Sequence, residues 1–150
     1  MDEMLSVKLS NLYVLLQTCR RSMQTLHWYV RGLQFDYYHN VVTSDLIDSI
    51  STDVDDVAEY MLRYFVVIPT PIEELAISTK EKYPTYKSEE VDVETVAERI
   101  EAITGRIFED VCSLRNSIDD TKYRDLSVFV DSLVDKYSKE YRFFAKSRLK

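Results

Sequence analysis

The chain has 150 residues, 45% hydrophobic and 30% charged, a size and balance that suit a single globular domain over 1–150. Two glycines and three prolines are too few for the tight turns of a sandwich or barrel, and they exclude glycine-rich phosphate loops, dinucleotide fingerprints and nucleophile elbows. The net charge of −7 opposes contact with phosphates, and no stretch approaches the roughly 18 uninterrupted apolar residues of a membrane span.

The opening MDEMLSVKLS is acidic and already periodic, unlike a secretory leader with a basic start and an apolar core. Leu5, Leu9, Leu12, Leu16, Cys19, Met23, Leu26 and Val30 alternate four and three apart, which predicts a long amphipathic helix over about 3–30. Gly32 ends it, and Asp36 is the expected N-cap of a second helix, whose stripe runs through Leu46, Ile50, Val54, Val57, Met61 and Phe65 to the break at Pro69-Thr70-Pro71. IEELAI, residues 72–77, predicts one small helix in an otherwise irregular connection. A third stripe, from Val93 through Ile100 and Ile107 to Ile118, follows the first-turn acids Asp92 and Glu94. A fourth runs from Leu126 through Leu133 and Tyr137 to Phe144. The expected fold is all-α, a four-helix bundle with a short extra helix in its long second connection. Cys19 and Cys112 form no CxxC pair, which suggests neither a disulfide framework nor a zinc knuckle and fits a reducing cytoplasm.

His27, His39, Asp55 and Glu59 combine imidazole and carboxylate, donors that suit iron, manganese or zinc. At roughly 100° per residue, His27 and His39 lie about 50° and 35° from the centres of their apolar stripes, whereas Asp55 and Glu59 lie about 125° to 165° away. The imidazoles flank the core and the carboxylates point away from it, so one subunit hardly brings the four together and a shared site needs a second copy of the chain. Trp28, about 150° from its own stripe, suits an interface, and Tyr29, Tyr38 and Tyr60 extend that aromatic surface. Taken singly, each histidine also reads as a packed core side chain and the acids as a solvated face.

The run Leu26-His27-Trp28-Tyr29-Val30-Arg31-Gly32-Leu33-Gln34-Phe35 through His39, followed by Asp55-Asp56-Val57-Ala58-Glu59, resembles the Dps (DNA-protection-during-starvation) mini-ferritins. The family pattern is HWxVxG, an aromatic three residues beyond the glycine, a histidine twelve after the first, and DxxAE later in the second helix; all occur here in order. The resemblance implies a ferritin-like bundle in which His27 and His39 of one subunit face Asp55 and Glu59 of its twofold mate as a ferroxidase centre. It also implies a hollow homo-dodecamer that oxidises Fe(II), preferentially with hydrogen peroxide, and stores ferric mineral, limiting oxidative damage to DNA. Three departures stand out. Thr43 replaces the family's aspartate four residues after the second histidine, which weakens a second iron position. His39 and Glu59 are 20 residues apart, one more than the pattern, so an insertion or helical bulge is expected between them. Tyr60 stands where many members have arginine. The Glu-x-x-His pairs of larger ferritins are missing, Asp36-x-x-His39 being the nearest approach.

Asp119, Asp120 and Asp125 are similar to the acids that line a threefold iron-entry pore in that family, and equally read as helix-ending and capping residues. Towards the carboxyl end, Lys136, Lys139, Arg142, Lys146, Arg148 and Lys150 outnumber Asp135 and Glu140. Of these, Arg142, Lys146, Arg148 and Lys150 are the candidates for weak DNA attraction by avidity, and complementing a helix C-terminus is the plainer account. The family's lysine-rich amino-terminal extension does not occur here. The alternatives to an iron oxidase are therefore a non-catalytic ferritin-like assembly protein and a DNA-compacting module.

Overall fold

In the computed structural model, which describes residues 1–147 and the side chains of residues 1–145, α1 spans Glu3–Tyr29. The Asp2 carboxylate accepts the Leu5 amide at 2.8 Å and caps it, and the predicted stripe from Leu5 to Leu26 lies buried along its length. Val30–Arg31 leaves the helix extended as β1, and Gly32 then turns the chain at φ +97°, a conformation that favours glycine.

Three helical segments follow without a break: α2 (Phe35–Tyr37), a π-helical turn (Tyr38–Val42) and α3 (Thr43–Arg63). The π turn is the expected bulge, since a single extra residue widens the i→i+4 ladder to i→i+5, as in the bond from the Thr43 amide to the Tyr38 carbonyl. Asp36 is not the N-cap. The Phe35 amide bonds back to the Gly32 carbonyl at 3.2 Å, so the helix opens from Gln34 in the left-handed region, and Asp36 lies exposed inside the first turn.

Phe65 also departs from the expected stripe. At the end of α3 the Val66 amide reaches back to the Met61 carbonyl and the Phe65 amide to that of Leu62, a Schellman arrangement that puts Phe65 at φ 59° and leaves it 94% exposed. The small helix is longer than expected. As α4 it runs Pro71–Glu81, opened by Pro71 at its first turn and a capping box between Thr70 and Glu73. It packs along α1, and the following loop is pinned there too: the Tyr83 hydroxyl donates to the Asn11 carbonyl at 3.2 Å and the Ser22 hydroxyl to that of Pro84 at 2.6 Å.

The chain next forms β2, Val91–Asp92, paired in parallel with β1 so that Val30 faces Val91 and Arg31 faces Asp92. Asp92 then caps α5 (Val93–Asn116) by accepting the Thr95 amide at 2.8 Å, and α6 (Arg124–Ser147) completes the bundle. α1 packs chiefly on α3 and α5 on α6, with α1 against α5 joining the two pairs around a core that includes Leu9, Met23, Ile50, Met61, Ile103 and Tyr137. Because β2 joins β1, α5 begins at the end of the bundle where α1 finishes, and the connection from α3 travels the bundle's length. Gly105 permits the close contact of α5 with α6, since a Cβ there would meet the Tyr141 ring at 2.9 Å. Among the described residues, no helix is long and apolar enough to cross a membrane.

Candidate metal centre

The last turn of α1 presents His27, and the π turn presents His39 directly above it. Their rings stack with centroids 4.0 Å apart and planes inclined by 12°, and Phe35 continues the stack at 5.1 Å from His39. His39 Nδ1 lies 2.8 Å from the His27 carbonyl; a carbonyl only accepts, so this nitrogen carries the proton and, in the neutral ring, Nε2 holds the lone pair. His27 Nδ1 lies 2.9 Å from the hydroxyl of the fully buried Thr43, which in turn donates to the Tyr38 carbonyl at 2.7 Å. Burial, and then the neighbouring His39 ring, hold the His27 imidazole below its ordinary pKa, which favours its neutral, ligating form.

Several large apolar side chains around the two rings face outward, among exposed polar residues that include Arg31, Gln34, Asp36 and Asn40. Trp28 is 53% exposed, with the Arg21 guanidinium 5.2 Å from its ring centre, and Leu33 is 89% exposed, with Phe35, Tyr37 and Val41 also open to solvent.

Further along α3, Asp55, Asp56 and Glu59 each place a carboxylate oxygen within 4.8 Å of the others; Asp55 and Glu59 are exposed and Asp56 is half-buried. Asp56 was not among the residues read from sequence, although its i, i+3 relation to Glu59 puts it on that face. Sixteen residues separate His39 from Asp55, roughly 24 Å along the axis at 1.5 Å per residue. The chain therefore brings His27 to His39 and Asp55 to Glu59, and keeps the two pairs apart.

The remaining candidates are engaged locally. Asp119 accepts the Thr121 and Lys122 amides at 2.9 and 3.2 Å, the capping behaviour expected of a helix-ending acid. Asp120 pairs with Arg115 at 2.8 Å, and Asp125 with Arg63 at 2.8 Å and with the Tyr64 hydroxyl. These partners hold both carboxyls below their usual range: the Arg115 hydrogen bond for Asp120, and for Asp125 that of Tyr64 ahead of that of Arg63. Lys136 bridges to Asp53 at 2.7 Å and Lys139 to Asp135 at 2.9 Å, which removes two cations from the basic end of α6. Arg142 is exposed; the Lys146 side chain, Arg148 and Lys150 lie outside the described residues. Cys19 is buried, its thiol pushed far up by burial, and Cys112 is half-buried; both are free.

No protein-family model matches the chain, and no curated protein matches it in sequence. Solved structures match over nearly its full length. CAIP of Helicobacter cinaedi shares 16% identity at a TM-score of 0.88, covering 97% of this chain and 99% of its own. A Dps protein from Bacillus brevis shares 16% at 0.84, covering 97% and 98%. The DPS protein from Vibrio cholerae O1, described as a member of a broad superfamily of ferritin-like diiron-carboxylate proteins, shares 14% at 0.83, covering 96% and 88%. The all-α bundle, its order of helices and the short helix in its long connection are thus those of the ferritin-like Dps fold.

Proposed function

We propose that the protein is an iron-oxidising and iron-storing mini-ferritin whose oxidation centres are shared between identical subunits, His27 and His39 from one and Asp55 and Glu59 from its twofold mate. The observation that carries this reading is the division of the donor set: two imidazoles with free ring nitrogens at the end of α1, and a carboxylate cluster roughly 24 Å along α3. A twofold interface that inverts α3 against its copy lays one subunit's acids over the other's histidines, twice per dimer. The exposed apolar ring of Trp28, Leu33, Phe35 and Tyr37 is the surface such an interface would bury. A closed shell of twelve subunits with an acidic interior is the assembly this fold suits, and iron is its substrate and cargo.

The stacked rings also bear on stoichiometry. A ring nitrogen's lone pair lies in the ring plane, and two stacked rings with centroids 4.0 Å apart and planes inclined by 12° do not both aim a lone pair at one ion held roughly 2.1 Å from each nitrogen. Each imidazole would therefore hold its own ion, with the carboxylates of the partner subunit supplying the oxygen donors. Two adjacent Fe(II) ions each give one electron to one hydrogen peroxide, its O–O bond breaks, and two protons complete two waters. Paired delivery avoids the one-electron step that releases hydroxyl radical and so protects DNA indirectly. Dioxygen is the alternative oxidant.

The test is anaerobic Fe(II) loading followed by peroxide. Fast oxidation of two Fe(II) per peroxide, abolished by His27→Ala or Glu59→Ala with the assembly intact, is the expected result. Slow oxidation identical in native and variant proteins would instead make the chain a non-catalytic helical assembly protein.

A further inference from the structure

We infer that Thr43 is a positioning residue for this centre: its hydroxyl fixes His27 as the Nδ1–H tautomer and thereby frees Nε2 for a metal ion. The functional half of this inference rests on the metal-centre reading; the tautomer itself is a property of the metal-free protein.

Thr43 is fully buried where α3 leaves the π turn, and its single hydroxyl proton has three neighbours within reach, the Tyr38 carbonyl at 2.7 Å, His27 Nδ1 at 2.9 Å and the His39 carbonyl at 3.4 Å. Both carbonyls can only accept, and the shortest contact, to Tyr38, takes the hydroxyl proton. What remains facing His27 is an oxygen lone pair, so Nδ1 must bring the proton. The π turn supplies this arrangement, since its widened ladder puts the Tyr38 carbonyl opposite both the amide and the hydroxyl of Thr43.

An unconstrained neutral imidazole favours the other tautomer, with the proton on Nε2, and such a ring offers no lone pair on its outer nitrogen. His39 needs no such device, because its Nδ1 already donates to the His27 carbonyl at 2.8 Å. The two bonds form one chain, from His39 to the His27 backbone and from the His27 ring through Thr43 to the Tyr38 backbone, which holds both rings in register with both outer nitrogens deprotonated. Metal-bound histidines ordinarily hand their second N–H to a carboxylate, carbonyl or water. Here a buried hydroxyl takes that place and adds no charge of its own.

Two histidines in the chain make the tautomers directly readable. Solid-state NMR of 13C,15N-histidine protein at pH 8, metal-free and sedimented, should show both rings as Nδ1–H in the native protein. Thr43→Val removes the hydroxyl at similar volume and should move the signals of His27 alone towards Nε2–H, while Thr43→Ser retains the native pattern. Titration with Co2+ as the probe should show affinity about tenfold lower for the valine variant and restored by serine. His27 protonated on Nε2 in the native protein would overturn the inference, as would a valine variant matching the native protein in His27 signals or in Co2+ affinity. Native tautomers as expected, with no Co2+ bound by any of the three proteins, would overturn the metal-centre reading and leave the tautomer assignment standing.

Discussion

Asp53 on α3 accepts the Tyr137 hydroxyl of α6 at 2.5 Å, and Lys136 closes the same carboxylate at 2.7 Å while also donating to the Ser49 carbonyl at 3.2 Å. The acid is only 5% exposed and lies within the apolar face of its helix, where an unpaired carboxylate would be costly. The cluster therefore ties together helices from different packed pairs, α3 beside α1 and α6 beside α5.

Asp53→Ala should lower stability by about 2–3 kcal/mol, somewhat less than for a fully enclosed pair because Lys136 keeps part of its side chain in water. The thermal midpoint is expected to fall by roughly 4–12 °C with the helix content unchanged. A midpoint within a degree of the native value would show that the bridge is dispensable.

Alkali should unfold the protein in a way its tyrosines explain. Burial holds the hydroxyls of Tyr38, Tyr83, Tyr86 and Tyr137 above their ordinary pKa, and burial followed by the Asp125 hydrogen bond pushes Tyr64 up to about 12. The folded pKa is raised, so this stabilisation is complete below the unfolded value near 10 and is lost as pH climbs towards 12. Denaturant midpoints measured from pH 8 to 11.5 should be flat at first and then fall above pH 10, less steeply in Tyr137→Phe. A midpoint independent of pH across that range would contradict the assignment.

Phe65 occupies the left-handed position that ends α3, with its ring in solvent, a place where glycine is at ease and a side chain costs roughly 1–2 kcal/mol. Phe65→Gly should raise the thermal midpoint by a few degrees, corresponding to about 1 kcal/mol. An unchanged or lower midpoint in the assembled protein would mean that the ring packs against a neighbouring subunit.

The long stripes were easy to read because burial repeats along them: Leu5, Leu9 and Leu12, or Ile100, Ile103 and Ile107, are buried as their spacing requires. Asp55 and Glu59 were also legible as a pair, one turn apart on a single helix, whereas His27 and His39 lie on either side of the Gly32 turn and were grouped only by the motif they share. Elements set by single hydrogen bonds were not. Gln34 rather than Asp36 opens the second helical run because one amide closes on Gly32, and Phe65 left its stripe because the Schellman bonds arrive one turn earlier than the hydrophobic spacing suggested. The two-residue β1–β2 pairing has no periodic signal at all. Asp53 was missed for a related reason: its partners are more than 80 residues away, and nothing local marks an acid on an apolar face as paired. The extra residue before Glu59 was legible only as a spacing, and the π turn shows where it is absorbed.

Complementation between two inactive chains tests the shared centre most directly. One chain carries His27→Ala with His39→Ala, the other Asp55→Ala with Glu59→Ala, and each alone should assemble and oxidise no iron at the centre. Co-expressed in equal amounts, they form mixed dimers in which one of the two centres receives native histidines from one chain and native acids from the other, so about one quarter of the native peroxide-dependent oxidation should return. Oxidation that stays at background in co-assembled shells would contradict a centre built by two subunits.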